Sequence, residues 1–317
     1  MELRQLRYLV ALAEERNFTR AAEREHIAQP ALSQQIQKLE REVGLALVER
    51  TTRRVSITDA GELLLARARR ILGELESAHE EMQSLRGLLA GRVNIGAMHT
   101  MGQIDISLAL ARFHERHPEV DLTVREDYSD SLAAMVRSDE VDLAFLSVTE
   151  RIESTGLALH QLISEELMVV LPPDHALAGR SEIRMVDLAG EQFISFRPGA
   201  RLRELLEGAA ASVGFKPDIR LESNESHRIR SLVSRGLGVA ILPSSDAHSK
   251  GAEVAVSRLV TPSLARDITL AWRADRRHPP AAAEFLTVAR ETFVPSAERD
   301  GAYGSPQPGV GGSSALR

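Results

Sequence analysis

The 317-residue chain contains no cysteine. Disulfides, thiolate-bound metals, a cysteine nucleophile and any thiol-based redox sensor are thereby excluded, and sulfur oxidation is left to methionine alone. Lysine is scarce too: Lys38, Lys216 and Lys250 are all there is, and none sits in a recognisable Schiff-base context, so no pyridoxal phosphate is expected. No apolar run approaches the roughly 18 residues that a membrane span requires, and residues 1–20 carry charges throughout in place of a signal-peptide apolar block. The expectation is a cytoplasmic protein with no membrane association. Enzyme signatures are missing as well. There is no Gly-x-Ser-x-Gly elbow and no phosphate loop ending in Gly-Lys. Gly236-Leu237-Gly238 lacks the third glycine of a dinucleotide fingerprint and leads from a helix into a strand, the reverse of that turn. His114 and His117 are three apart on one helix with no further ligand clustered nearby, which suits interaction with a helix C-terminus better than a metal. No metal, cofactor or catalytic activity is therefore expected.

What is present is globular composition, 43% hydrophobic and 26% charged, in a chain long enough for two domains. The net charge of -6 hides an asymmetry. Residues 1–60 hold ten Arg or Lys against nine Asp or Glu, and the remainder 29 against 36. Any nucleic-acid surface is thus local and near the N-terminus. There, Leu3, Leu6, Leu9, Val10 and Ala13 recur at helical spacing, and a break follows at Arg16-Asn17. Thr19 reads as the N-cap of a short second helix from Arg20 to Glu25, with Ala21 and Ala22 allowing close packing. After a turn at His26-Ile27-Ala28, Pro30 opens a third helix that Gly44 stops.

At about 100° per residue, Leu32, Ile36, Leu39 and Val43 form a core stripe on that third helix. Pro30, Gln34, Gln37 and Arg41 lie on the other side, flanked by Ser33 and Lys38, with Gln29 just before Pro30 as a further DNA-contact candidate. Amide groups of this kind can read base edges in a major groove, while Ser and Lys suit phosphates. The same residues would also serve as ordinary solvated helix surface, and the helix by itself does not separate the two readings. Two short strand-like pieces follow, from Leu45 to Glu49 and from Val55 to Thr58. Arg50, Arg53 and Arg54 crowd the tip between them, a wing able to straddle a phosphate backbone. The first 58 residues therefore read as a winged helix-turn-helix for double-stranded DNA.

The residues themselves are familiar. Phe18-Thr19-Arg20-Ala21-Ala22, Gln29-Pro30-Ala31-Leu32-Ser33, Ile36, Leu39-Glu40, Gly44, Glu49-Arg50 and Thr58-Asp59-Ala60-Gly61 closely resemble the N-terminal domain of LysR-type transcriptional regulators, in order and spacing. Small departures are Val48 where that family often has phenylalanine, Gln34 where arginine is frequent, and Thr51-Thr52 where the wing often includes glycine. These bear on core size, base preference and wing shape.

Asp59 followed by Glu62 reads as a capping box opening a long helix to about Leu89. Leu64, Ala68, Ile71, Leu75, Ala78, Met82, Leu85 and Leu89 recur at steps of four and three, an a/d seam that suits a dimerising coiled coil better than a helix packed on its own domain. The resemblance implies the same for residues 59–90, and a homodimer or homotetramer for the whole.

From Gly91 the pattern becomes alternating strands and helices, an α/β layout read as largely parallel sheets. Strand candidates are Val93 to Ala97, Val120 to Arg125, Val141 to Leu146, Leu167 to Leu171, Phe193 to Phe196, Ile219 to Leu221, Val239 to Leu242 and Ile268 to Trp272. Phe113-His114-Glu115-Arg116-His117-Pro118, Val141-Asp142-Leu143-Ala144, His175-Ala176-Leu177 and the run from Gly236 to Pro243 resemble the effector domain of the same regulators. Ser138 departs, standing where a glycine commonly precedes the acidic stretch. The resemblance implies a periplasmic-binding-protein-like pair of subdomains, 91–162 with 266–294 and 163–265, joined by two crossings. The whole is an α+β multidomain chain, and residues 295–317 read as a disordered tail.

Ligands of open α/β sheets bind beyond the carboxyl ends of strands, where helix N-termini offer free amides. That address gives His99, Thr100 and Met101 after the first strand, then Ser147, Phe196, Arg197 and Asn224 after later ones. Each has a bland alternative: Thr100 as a helix cap, Phe196 as core, Arg197 in a turn, Asn224 as a cap. Thr100 and Met101 are expected at a helix N-terminus, with Arg197 on the opposite wall, which points to a small anionic co-inducer. A solute-binding protein would explain only the second half of the chain, and an architectural DNA binder only the first. The sequence reads as a ligand-responsive transcriptional regulator.

Overall fold

Leu6, Leu9 and Leu12 share one face of α1 (Leu3–Glu15) and are buried with Ala21 and Ala22 of α2 (Phe18–Arg24) and Leu32, Ile36 and Leu39 of α3 (Gln29–Val43). The computed structural model describes residues 1–50, 55–84, 89–148, 152 and 155–293. The expected wing tip with Arg53 and Arg54, the seam position Leu85 and the tail at 295–317 lie outside the described residues. Arg16 ends α1 in the left-handed region (φ 47), which leaves Asn17 extended over the next turn. Its side-chain oxygen accepts from the amides of Thr19 at 2.8 Å and Arg20 at 3.1 Å. The cap is thus Asn17, not Thr19, which lies inside the helix. Val43 is 40% exposed and leaves the expected stripe; Leu47 takes its place in the core. Strands β1 (Val48–Arg50) and β2 (Val55–Ile57) pair antiparallel, Val48 opposite Ile57. Glu40 ties this hairpin to α3, its carboxylate accepting from the amides of Leu47 at 2.9 Å and Val48 at 3.1 Å.

The long helix α4 (Asp59–Ser84) is capped by Thr58, whose hydroxyl accepts from the Gly61 amide at 3.0 Å and donates to the Ala46 carbonyl at 2.7 Å. The start expected from Asp59 and Glu62 is therefore one residue off, and those two acids instead sit in the first turn, favoured by the helix dipole. Gly61 has to be small: a Cβ there would lie 2.1 Å from the Leu47 carbonyl oxygen. The seam divides in two. Ala68 is buried, whereas Ile71, Leu75 and Met82 are 39%, 52% and 58% exposed along the outer half.

Beyond α4, one eight-stranded sheet in the order β4 (Val120–Glu126), β3 (Gly91–Ala97), β5 (Leu143–Leu146), β12 (Ala265–Arg273), β6 (Leu157–Leu171), β11 (Ala255–Thr261), β7 (Glu182–Arg184), with β10 (Ala240–Pro243) also paired to β6, is joined by a separate parallel pair, β8 (Gln192–Ser195) and β9 (Asp218–Glu222). The first lobe is β3 (Gly91–Ala97), α5 (Ile106–Arg116), β4 (Val120–Glu126), α6 (Ser129–Arg137) and β5 (Leu143–Leu146), closed by α10 (Pro280–Thr292). Phe113, Phe145 and Phe285 fill its core. The second lobe is β7 (Glu182–Arg184), β8 (Gln192–Ser195), α7 (Arg201–Ser212), β9 (Asp218–Glu222), α8 (Ser226–Val233), β10 (Ala240–Pro243), α9 (Ser244–Ala247) and β11 (Ala255–Thr261) around Val169, Phe193 and Leu242. β6 (Leu157–Leu171) and β12 (Ala265–Arg273) join the lobes.

The sheets are mixed, not largely parallel. β3 runs parallel to β4 and β5, but β12 is antiparallel to both β5 and β6, because the chain crosses between lobes once in each direction. The first ten residues of β6 escaped the sequence pattern because His160, Gln161, Ser164, Glu165 and Glu166 interrupt its apolar run. β6 passes unbroken through the boundary expected between 162 and 163. It pairs with β12 as far as Glu166, with β10 from Leu167 and with β11 from Met168, so its pairing changes lobe after Glu166.

Ile71, Leu75 and Met82 form an apolar stripe that a second copy of α4 would cover. Leu75→Asp puts a charge at its centre, and the expected outcome is dissociation to monomer with a parallel loss of operator affinity. Sedimentation equilibrium showing an intact dimer would reject the seam.

Candidate DNA-binding face and effector cleft

On α3, Gln29, Pro30, Gln34, Gln37, Lys38 and Arg41 are exposed and Ser33 is half-buried, so the amide-rich side faces away from the Leu32–Ile36–Leu39 stripe. Thr19 and Arg20 are exposed beside it on α2. Two of the cations are already engaged. Lys38 Nζ lies 2.8 Å from Glu2 Oε1 and, with Arg4, holds the Glu2 carboxyl below its usual range; Arg20 lies 3.3 Å from Glu15. A phosphate oxygen reaching either residue competes with a carboxylate. Arg50 closes β1 opposite Val55, which sets the backbone of the wing.

The second site lies between the lobes. Met98, His99 and Thr100 follow β3, Asp127, Tyr128 and Ser129 follow β4, Ser147 follows β5, Phe196 follows β8 and Asn224 follows β9; together with Ala200, Arg201, Leu202 and Arg266 they line one cavity of about 30 Å³. Five of the residues expected beyond carboxyl ends of strands, His99, Thr100, Ser147, Phe196 and Asn224, line this cavity. Met101 does not reach the cavity and packs half-buried on the core of the first lobe. Arg197 is exposed; its amide donates to Asn224 Oδ1 at 3.4 Å and its carbonyl accepts from the Ala200 amide at 3.2 Å. Thr100 and Met101 do not stand at a helix N-terminus either. α5 begins later, at Ile106, with Asp105 as its cap, because residues 98–105 form a loop folded over the crossing strands.

The helix N-termini that do reach the cavity belong to α6, through Tyr128 and Ser129, and α7, through Ala200 and Arg201. Asp127 is satisfied locally, accepting from the Tyr128 amide and the Ser131 hydroxyl. The same rule applied to β4 would have found these residues. Arg201 begins α7 half-buried, 3.5 Å from Glu204. Arg266 gave no sequence signal, since it lies on a crossing strand.

Arg266 and Glu165 stand opposite each other on β12 and β6 and pair at 3.1 Å, each side chain 1% exposed. Burial pulls the guanidinium below its ordinary pKa, and Glu165 opposes that. Arg266 Nη1 also donates to the carbonyl of Thr100 at 3.1 Å and to its hydroxyl at 2.8 Å. Glu165 Oε1 accepts from the amide of Ser245, at the start of α9 in the other lobe, at 3.0 Å. Thr100 thus accepts from a buried cation while lining the cavity, and it does not cap a helix. Asp246 nearby is pushed up by burial and by Glu165, against Arg266.

A third contact joins the lobes to the N-terminal half. The turn after α6 presents Asp139 and Glu140 to α4: Arg69 Nη1 lies 2.7 Å from Glu140 and Arg70 lies 3.7 Å from Asp139, which Arg273 and Arg276 also hold. Among the described residues no group of acids and histidines could hold a metal, and no helix is long and apolar enough to cross a membrane.

A winged helix-turn-helix joined through one long helix to a two-lobed cleft is the build of a ligand-responsive transcriptional regulator. The LysR substrate binding domain matches residues 86–294, and the bacterial regulatory helix-turn-helix protein of the lysR family matches residues 3–62. The chain belongs to the LysR family. It is 35% identical over 245 residues to the hydrogen peroxide-inducible genes activator of Pectobacterium carotovorum subsp. carotovorum, covering 77% of this chain and 80% of that one. A full-length OxyR from Pseudomonas aeruginosa, with a cysteine replaced by aspartate, superposes at a TM-score of 0.73 with 28% identity over 92% of this chain and 97% of that one. The effector binding domain of QuiR in complex with shikimate superposes at 0.56 with 26% identity over 64% of this chain and 97% of that domain.

Glu165→Ala would leave Arg266 buried without its counter-ion, and a stability loss of about 3–5 kcal/mol is expected. Replacing both residues with apolar side chains of similar volume should recover most of it. Denaturant titrations of the single and double variants read the difference; equal losses would mean that the ion pair is incidental.

Proposed function

We propose that this regulator reads operator DNA with the outward face of α3 and the wing, and answers a small carboxylate bound in the cleft. The observation that carries the effector class is the convergence of two helix N-termini and Arg201 with the hydroxyls of Thr100 and Ser147 and the amide of Asn224. The shikimate bound by the similar domain is itself a small hydroxylated carboxylate. Resemblance to a peroxide-response activator does not bring a peroxide thiol with it, because this chain has none. The reading includes no catalytic role and no cofactor, action on chromosomal DNA in the cytoplasm, and assembly through α4 into dimers or tetramers.

Gln34 points away from the core, so Gln34→Ala should leave folding intact and cost about 1–3 kcal/mol of discrimination at one base position. Arg53→Ala and Arg54→Ala should weaken binding to every sequence and reduce the salt slope by about one unit. Competition gel shifts over operator variants at several salt concentrations separate these. Uniform loss for Gln34→Ala would make the docking geometry wrong.

For the effector, thermal-shift screening of small carboxylates against neutral analogues should select the carboxylates, and Arg201→Gln should weaken the best of them about 10- to 100-fold in titration calorimetry. A neutral analogue binding as tightly as its acid would overturn the charge assignment.

A further inference from the structure

Tyr128 bridges the two lobes across the cleft. It stands just before α6 in the first lobe, and its hydroxyl accepts from Asn224 Nδ2 of the second lobe at 3.0 Å. Its ring faces Gly199, where even an added Cβ would meet the ring at 3.5 Å, and on another side it meets the His99 ring at 5.4 Å. Gly199 has φ +92, a conformation open to glycine, and the backbone there carries no side chain to hold the ring off. Met98, Ser129, Ser147 and Phe196, all buried, line the same cavity, a volume with room for only about one or two water molecules. Tyr128 itself is half-buried, so its ring can leave without opening a core.

We infer that Tyr128 is the specificity-determining gate of the cleft: a ligand larger than water enters only when the Tyr128–Asn224 bond breaks, and the ligand that stays is one whose own oxygen replaces the tyrosine hydroxyl at Asn224 Nδ2. The geometry allows little else. Asn224 has its carbonyl oxygen on the Arg197 amide, so its amide nitrogen is the group freed when Tyr128 leaves. A ligand without an acceptor at that point would strand a polar donor in a partly dry cavity. This inference rests on the cleft being the effector site, but the experiment needs no effector, so its failure would remove the gate and leave the charge assignment standing.

The absence of cysteine makes the experiment direct. Met98→Cys places a single thiol in the full-length chain, behind the gate, and its modification by the bulky thiol reagent dithiobis(nitrobenzoic acid) reports how often the cavity opens. Adding Tyr128→Phe, which keeps the ring and removes the hydroxyl, should speed modification about fivefold, as expected for loss of one hydrogen bond from the closed state. Adding Asn224→Ala to that pair should speed it no further. A thiol introduced at Val170, in the core of the second lobe, should react at one slow rate with or without Tyr128→Phe. Equal rates with and without Tyr128→Phe would overturn the gate, as would parallel acceleration at Val170, which would mean general loosening. In the cysteine-free chain, hydrogen exchange at the Arg197 amide provides an independent reading: it should quicken in Tyr128→Phe, and an unchanged rate would also overturn the inference.

Discussion

The pairing of Glu165 with Arg266 is the constraint on which the cleft depends. The two residues sit opposite each other on the two strands that, among the described residues, pass between the lobes, and both side chains are almost fully buried. From this one pair, polar contacts reach the loop after β3 through Thr100 and the start of α9 through Ser245. Gly102 belongs to the same arrangement, since a Cβ there would lie 2.2 Å from Glu165 Oε2. An ion pair so deep contributes little net stability, but a misplaced strand register would leave two charges unpaired, so it discriminates strongly against the wrong crossing.

The DNA-binding end is built on a different principle. Its core is a small set of aliphatic side chains, mostly leucines and alanines, from α1 to α4 and the wing, and specificity of shape comes from backbone amides satisfied by nearby side chains: Asn17 at the start of α2, Glu40 under the wing, Thr58 at the start of α4. Each of these also joins one element to the next. The exposed side of α3 proposed to read DNA is therefore held from behind, with Gln29, Gln34 and Gln37 outside the core.

Most of this plan was legible in the chain because periodicity and turn chemistry are local. Leu32, Ile36 and Leu39 declared the buried side of α3, and Gly44 its end. The positions after strands declared most of the cleft. What escaped depended on tertiary context. Val43 fits the helical stripe by angle, but the chain turns at Gly44 before anything can cover it. The polar half of β6 has no strand pattern because it serves a hinge and not a face of a core. Arg266 looks like any surface arginine until Glu165 is found across from it. Arg197 and Arg201 are equally placed in sequence; only the helix start at Ala200 decides which one turns inward.

The helix α6 gives the molecule a mechanical property. Its first residues line the cleft, and the turn at its far end holds Arg69 and Arg70 of α4. Nine helical residues span about 13 Å, and a hydrogen-bonded helix of that length does not shorten appreciably. A displacement at Ser129 in the cleft is therefore carried along a stiff element to the turn at Asp139 and Glu140 that pairs with α4.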